Sequence, residues 1–515
     1  MYRSRFAFLL AMAALAAILI PSTLTAQVTL QLSHGRERGV AYVAKGNGDD
    51  DMTWARAYGD SWNDKGYSVQ QTTDGGYIAT GSTECFATRS IDVYVIKTDA
   101  HGDTVWSRTF GGTARDYGYM VQQTTDGGYI VTGTTESFGA GIEDIYLIKL
   151  SAGGDTLWTR TLGGVDEEFG YSVRQTADSG YVIVGTTGTY GAGDYDVYLV
   201  KTDAEGVAQW SKTYGGTYMD EGYSVQEVPN GGYIIAGYTT SFGAGHDDVY
   251  LIRIDAGGDT LWTRTYGGLN NEEGWSVQPT ADSGYIIAGV TSSYGAGGGD
   301  VYLIKTNALG DTLWTKTLGG ADNDFGYSVQ QTAGGGYIIA GSTRSRGAGH
   351  SDAYLIKTDA LGDTLWTRTF GDTGYDAGYS AQQTTDGGYI IAGYTDGFGA
   401  NEYDVYLIKT DALGNVAVAE PKASPTRAPA LSLTCEPNPV VGTTTIRTSY
   451  IVPRSSLSVY DASGRLVRSF SLLSSPSSLT WDGTDELGQP LPSGAYFLRL
   501  DAGSQHATTR IILQR

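Results

Sequence analysis

The residues of this chain with most scope for chemistry are two acidic positions that return in every one of its repeats. One series is Asp64, Asp116, Glu168, Asp220, Glu272, Asp324 and Asp376; the other is Asp92, Asp144, Asp196, Asp248, Asp300, Asp352 and Asp404. Gly-Ala-Gly loops add aromatics nearby: Phe138, Tyr190, Phe242, Tyr294 and Phe398. Carboxylates beside aromatic rings suit sugar binding by stacking, or cation binding through oxygen ligands. Paired carboxylates are also what glycoside hydrolysis needs, yet none of these acids is marked out from its six copies. The structural reading stands beside the ligand-binding one. An acid present in every repeat can simply accept hydrogen bonds from loop N–H groups, as in an Asx turn. Active sites break symmetry, and this chain hardly breaks it.

Other constellations are thin. Of five histidines, only His246 and His350 share a repeat position, and their counterparts are Ile142, Asp194 and Gly298. No nucleophile elbow, zinc-binding His-Glu-x-x-His or phosphate loop is present. No catalytic residue, metal or cofactor is therefore expected. The two cysteines, Cys85 and Cys435, fall in different expected domains, which excludes a disulfide framework. Cys85 occupies a position that holds Ser137 and Ser241 elsewhere, and reads as a small-residue replacement.

The elements that position the acids follow from a period. Trp54, Trp106, Trp158, Trp210, Trp262, Trp314 and Trp366 are spaced without a slip. Each unit has four segments rich in Tyr, Val, Ile, Thr and Trp, exemplified by 261–266, 274–280, 284–291 and 300–307. Glycine turns such as Asp126-Gly127-Gly128 and Asp359-Ala360-Leu361-Gly362-Asp363 predict antiparallel hairpins. Tyr233-Ile234-Ile235-Ala236 and Val249-Tyr250-Leu251-Ile252 alternate poorly, so their sheets are covered on both faces. Sheets stacked radially between neighbours meet that need. The array opens on a lone tryptophan strand and ends three strands into a unit, with Val418 where tryptophan is due. One plus three completes a blade. The expectation is an all-β chain: a seven-bladed β-propeller over 52–418, then a small Ig-like β-sandwich. In such a propeller both acidic connections emerge on one face.

In chain order, Arg3 and Arg5 precede an apolar run from Phe6 to Ile20 and Thr25-Ala26, which reads as a secretory signal over 1–26. The run is short for a membrane span, and no later segment resembles one. A polar leader, 27–51, follows. The net charge of −22 disfavours nucleic acid and anionic membranes as partners. Pro421, Pro425 and Pro429 mark a linker over 419–430, and a second β domain fills 431–515.

That last region carries Pro437-Asn438-Pro439, Tyr460-Asp461 with Gly464-Arg465, Trp481-Asp482-Gly483 and Ser493-Gly494-Ala495-Tyr496-Phe497. On these residues it resembles the C-terminal sorting domains of the type IX secretion system and the related Ig-like domain of flagellar hook-capping (FlgD-type) proteins. The resemblance implies export across an outer membrane by a secretion machinery, with display at the cell surface or release. The Asp-x-x-x-Gly-x-x-x-Trp hairpins are similar to those of quinoprotein-like propellers, which implies fold and not cofactor. The expected protein is an extracellular or surface-bound monomer, a non-catalytic binder of a glycan or protein. The competing class is an endoglucanase-like hydrolase that uses two acids of the loop face.

Overall fold

Each repeat becomes four antiparallel strands in sheet order, as Asp220–Glu227, Tyr233–Thr239, Asp248–Ile254 and Thr260–Tyr266 show. The two middle strands are buried at every residue, so the poor alternation has its reason: both faces are packed. The computed structural model describes residues 53–59, 62–84, 90–397, 402–416, 433–436, 438–448, 455–472, 478–502 and 505–515. The expected signal (1–26), leader (27–51) and linker (419–430) lie outside the described residues, as do Cys85 and Phe398.

Blades I to VII begin with Asp64–Gln71, Asp116–Gln123, Glu168–Gln175, Asp220–Glu227, Glu272–Pro279, Asp324–Gln331 and Asp376–Gln383. These are the innermost strands. Each packs against the next, and the seventh packs against the first. Blade VII takes its fourth strand from the other end of the array: Trp54–Tyr58 runs antiparallel to Asp404–Thr410, with Trp54 opposite Lys409. The one-plus-three closure is therefore present. The fold is a seven-bladed propeller.

The outer strands lock blade to blade. A side chain on Gly310 would strike Trp262, so the tryptophan of blade IV lies on the Asn307-Ala308-Leu309-Gly310 turn of blade V. Trp262 also meets Tyr285 edge-on at 6.0 Å, and the Arg264 guanidinium covers its ring at 5.4 Å. The recurring lysines have a structural role. Buried Lys149, Lys201, Lys305 and Lys409 pair with the hairpin acids Asp126, Asp178, Asp282 and Asp386 at 2.7–2.9 Å.

The C-terminal region forms two sheets. One holds Leu433–Glu436, Thr444–Thr448 and Ser478–Trp481; the other orders Leu466–Leu472, Ser455–Asp461, Gly494–Ala502 and Gln505–Leu513. Trp481, Leu457, Leu498 and Ile511 share one core between them. Among the described residues no helix is long and apolar enough to cross a membrane.

Candidate functional site

The two acidic series meet at the glycine that follows each outer strand. A side chain on Gly111 would run into Asp92 and Asp116, and one on Gly215 into Asp196 and Asp220. Apart from half-buried Asp92, every acid of both series is buried. Their partners are loop amides and hydroxyls. Asp144 Oδ2 accepts from the N–H groups of Ala140 and Gly141 at 2.9 and 3.0 Å. Asp116 Oδ2 accepts from Gly112 N and Ser137 Oγ at 2.9 and 2.7 Å. Side-chain length matters here. Glu168 Oε1 reaches Thr187 Oγ1 at 2.7 Å, whereas Oδ1 of Asp116 and Asp220 makes no well-formed hydrogen bond. The loop aromatics Phe138, Tyr190, Phe242 and Tyr294 are exposed and lean on Tyr146, Tyr198, Tyr250 and Tyr302.

Blade VII departs from this pattern. Asp372 stands where the other described repeats have glycine, and Gly397 where they have serine or threonine, so the Asp372 carboxyl fills the space of the missing side chain. Asp372, Asp376 and Asp396 bring carboxylate oxygens within 4.8 Å of one another, close enough to share a cation.

The propeller axis holds residues that the sequence reading passed over. In each innermost strand a bulge follows the conserved-in-repeat glycine: Gly222 pairs with Gly237 and Ser224 with Ala236, which leaves Tyr223 unpaired. A bulge re-aims its extra side chain. It also demands a bare backbone opposite, because a Cβ on Gly237 would overlap the Glu221 carbonyl. Seven bulges yield a ring of aromatics: Tyr67, Tyr119, Tyr171, Tyr223, Trp275, Tyr327 and Tyr379. In six of the seven neighbouring pairs the ring centres lie 4.8–5.7 Å apart, Tyr379 with Tyr67 among them.

Two residues before each ring member the repeats stop agreeing. That position reads Lys65, Tyr117, Phe169, Glu221, Glu273, Phe325 and Ala377. These seven positions make a collar beside the aromatic floor, and Tyr117, Phe169, Glu221, Glu273 and Phe325 touch it. Tyr117 and Phe169 stack parallel on Tyr119 and Tyr171 at 6.1 and 5.9 Å. Glu221 accepts from Tyr223 Oη and Tyr238 Oη, both at 2.8 Å. Glu273 accepts from Trp275 Nε1 at 3.0 Å. Lys65 lies over the rings of Tyr394 and Tyr403. Glu143 adds a carboxyl near Tyr119 and Tyr171. The signal that marks the collar is a variable residue between an invariant acid and an invariant glycine.

Electrostatics separate two kinds of acid. Burial, with Glu167 beside it, pushes Glu143 up to about 8. Burial likewise raises Glu273 to about 7 and Asp92 and Asp376 to about 6. Hydrogen bonding from Lys201 instead holds Asp178 down to about 2. The signs then oppose each other. The raised acids stabilise the fold fully below the unfolded value near 4, and that contribution is lost as pH climbs through 6 to 8. Asp178 stabilises above about 4, and its contribution is lost as pH falls towards 2. Melting temperatures measured from pH 3 to 9 should therefore peak between about 4 and 6. A higher melting temperature at pH 8 than at pH 5 would contradict this account of the buried acids.

Together these features define a closed seven-bladed propeller with an unlike collar at its axis, followed by an Ig-like β domain. Residues 442–506 match the model of the FlgD Ig-like domain family. Regulatory protein FlaEY of Caulobacter vibrioides is 26% identical over 304 residues, which covers 50% of this chain and 30% of that protein. The chain thus matches less than a third of that relative's length. Among solved structures, PorZ, a surface component of the type-IX secretion system of Porphyromonas gingivalis, is 11% identical, with a TM-score of 0.40 over 89% of this chain and 60% of its own. A fungal alcohol oxidase of the AA5 family in complex with copper is 13% identical, with a TM-score of 0.44 over 90% and 98%. Puromycin hydrolase is 13% identical, with a TM-score of 0.46 over 81% and 64%. No chemistry is carried over from these structures.

Proposed function

We propose that this chain is an exported, non-catalytic binding protein that presents its axial collar to a glycan or protein ligand. The observation that carries the reading is the collar itself. Sevenfold repetition is kept at the floor and the blade contacts, and is given up where a ligand would meet charge, ring faces and hydroxyls together. The acids of the two invariant series serve loop amides, which leaves the collar as the place for recognition. A glycan array beside a reducing-sugar assay tests it. Capture that weakens in Glu273→Gln, without new reducing ends, is the expected outcome. Release of reducing ends would favour the hydrolase instead. That second reading has its own support, since Glu143 and Glu273 remain substantially protonated near neutrality and a general acid needs this.

Export is assigned to the C-terminal domain, on its FlgD-like fold and on the motifs shared with sorting domains. Removal of 431–515 should leave the propeller folded, because the two regions have separate cores. In the native host the truncated chain should collect in the periplasm. Unchanged arrival at the cell surface would defeat the sorting role and leave a structural Ig-like module.

A further inference from the structure

Lys65 differs from every other described lysine. Lys97, Lys149, Lys201, Lys212, Lys305, Lys316 and Lys409 each pair with an aspartate, and Lys357 donates to the Thr358 carbonyl at 2.8 Å. Among the described residues Lys65 has neither kind of acceptor. Its Nζ lies 5.1 Å from the ring centre of Tyr394 and 4.6 Å from that of Tyr403. In a chain with 56 acids against 34 Lys and Arg, carboxylates to pair with it are plentiful. Two π faces recover only part of what an ammonium loses on leaving water. The shortfall is visible in its pKa, which burial lowers. An ammonium so placed can take an anion from outside as a partner.

The rest of the collar restricts that anion. In a ring of seven, blade I is three blades from blade IV one way and three from blade V the other, so the strand of Lys65 stands across the axis from those of Glu221 and Glu273. Both carboxyls accept from hydroxyls, as each already does from a floor residue. Between the two ends lies the aromatic floor, with Tyr67 and Tyr379 in contact on the lysine side. A pyranose C–H face stacks on such rings. One carboxylate, a stackable ring and several hydroxyl donors are the chemistry of a sugar acid.

Resting on the reading of the collar as a binding site, we propose that Lys65 anchors the carboxylate of a uronic-acid residue. The sugar ring lies on the aromatic floor, and its hydroxyls donate towards Glu221 and Glu273.

Calorimetric titration of the full chain tests this with glucuronic acid, glucose and N-acetylglycine as probes. Glucuronic acid should bind roughly tenfold more tightly than glucose, the scale of one charge-assisted contact. Lys65→Met should lose that margin and Lys65→Arg should keep most of it, with melting curves to confirm that both fold. Should Lys65→Met fail to fold, the arginine variant and the glucose comparison still decide. Equal binding of glucose and glucuronic acid, or full binding by a folded Lys65→Met, would overturn the carboxylate role. In that event a loss in Glu273→Gln would still uphold the collar. N-acetylglycine bound as tightly as glucuronic acid would show a carboxylate site without sugar selectivity and defeat the ligand class. Binding indifferent to every collar variant would sink both readings.

Discussion

Removal of Trp54–Tyr58 is expected to lower the melting temperature by about ten degrees and to bring on aggregation. This strand is the fourth of blade VII, and without it Asp404–Thr410 becomes a bare edge. Its side chains also clasp blade I. Trp54 is buried, meets Tyr77 edge-on at 5.7 Å and donates from Nε1 to the Ala100 carbonyl at 3.1 Å. Tyr58 donates to the Gly102 carbonyl at 2.7 Å, and Arg56 pairs with Asp103. Trp54→Ala alone should cost roughly 3–5 kcal/mol, the usual toll for emptying a buried aromatic site. Differential scanning calorimetry of the deletion and the parent is the measurement. Coincident transitions would show that the ring does not depend on its strap.

The second large effect belongs to the axis. Gly185→Ala should destabilise by about 3 kcal/mol or more, because the new methyl would overlap the Phe169 carbonyl, a backbone atom that no rotamer change can move. Pairing between Gly170 and Gly185 would have to open, and the bulge that aims Tyr171 would go with it. Gly127→Ala is the control. That glycine has φ 81° and no atom within 4 Å of a new Cβ, so only left-handed strain remains, at roughly 1 kcal/mol. Chemical denaturation of the two variants should separate them clearly. Equal losses would mean that the bulge tolerates a side chain, and the account of the aromatic ring would fall.

Much of the fold was legible in the chain. A tryptophan at constant spacing, glycine turns at constant offsets and strands apolar on both faces leave few architectures open. Even the closure could be read, since one strand at the start and three at the end make a whole. These are local facts about which residues recur, and strand formation with hairpin pairing is a local consequence. The Trp262 and Arg264 pairing was equally available, because alternate residues of a strand share a face.

Which polar residues meet one another was settled only in three dimensions. The invariant acids read either as acceptors for loop amides or as a rim that ligands could use; burial depends on neighbouring loops, and those turn Asp144 and Asp116 inward onto amides. The collar escaped notice for the opposite reason. Lys65, Glu221 and Glu273 sit far apart in sequence within near-identical surroundings, and each alone looks like ordinary variation. A strand pattern also cannot show that a bulge inserts Tyr67 and its six counterparts towards the axis. The repeat determined the blades, since each needs only its own residues and its next neighbour. Only closure of the ring set the seven variable positions around one axis, because an arrangement about the axis exists in no single repeat.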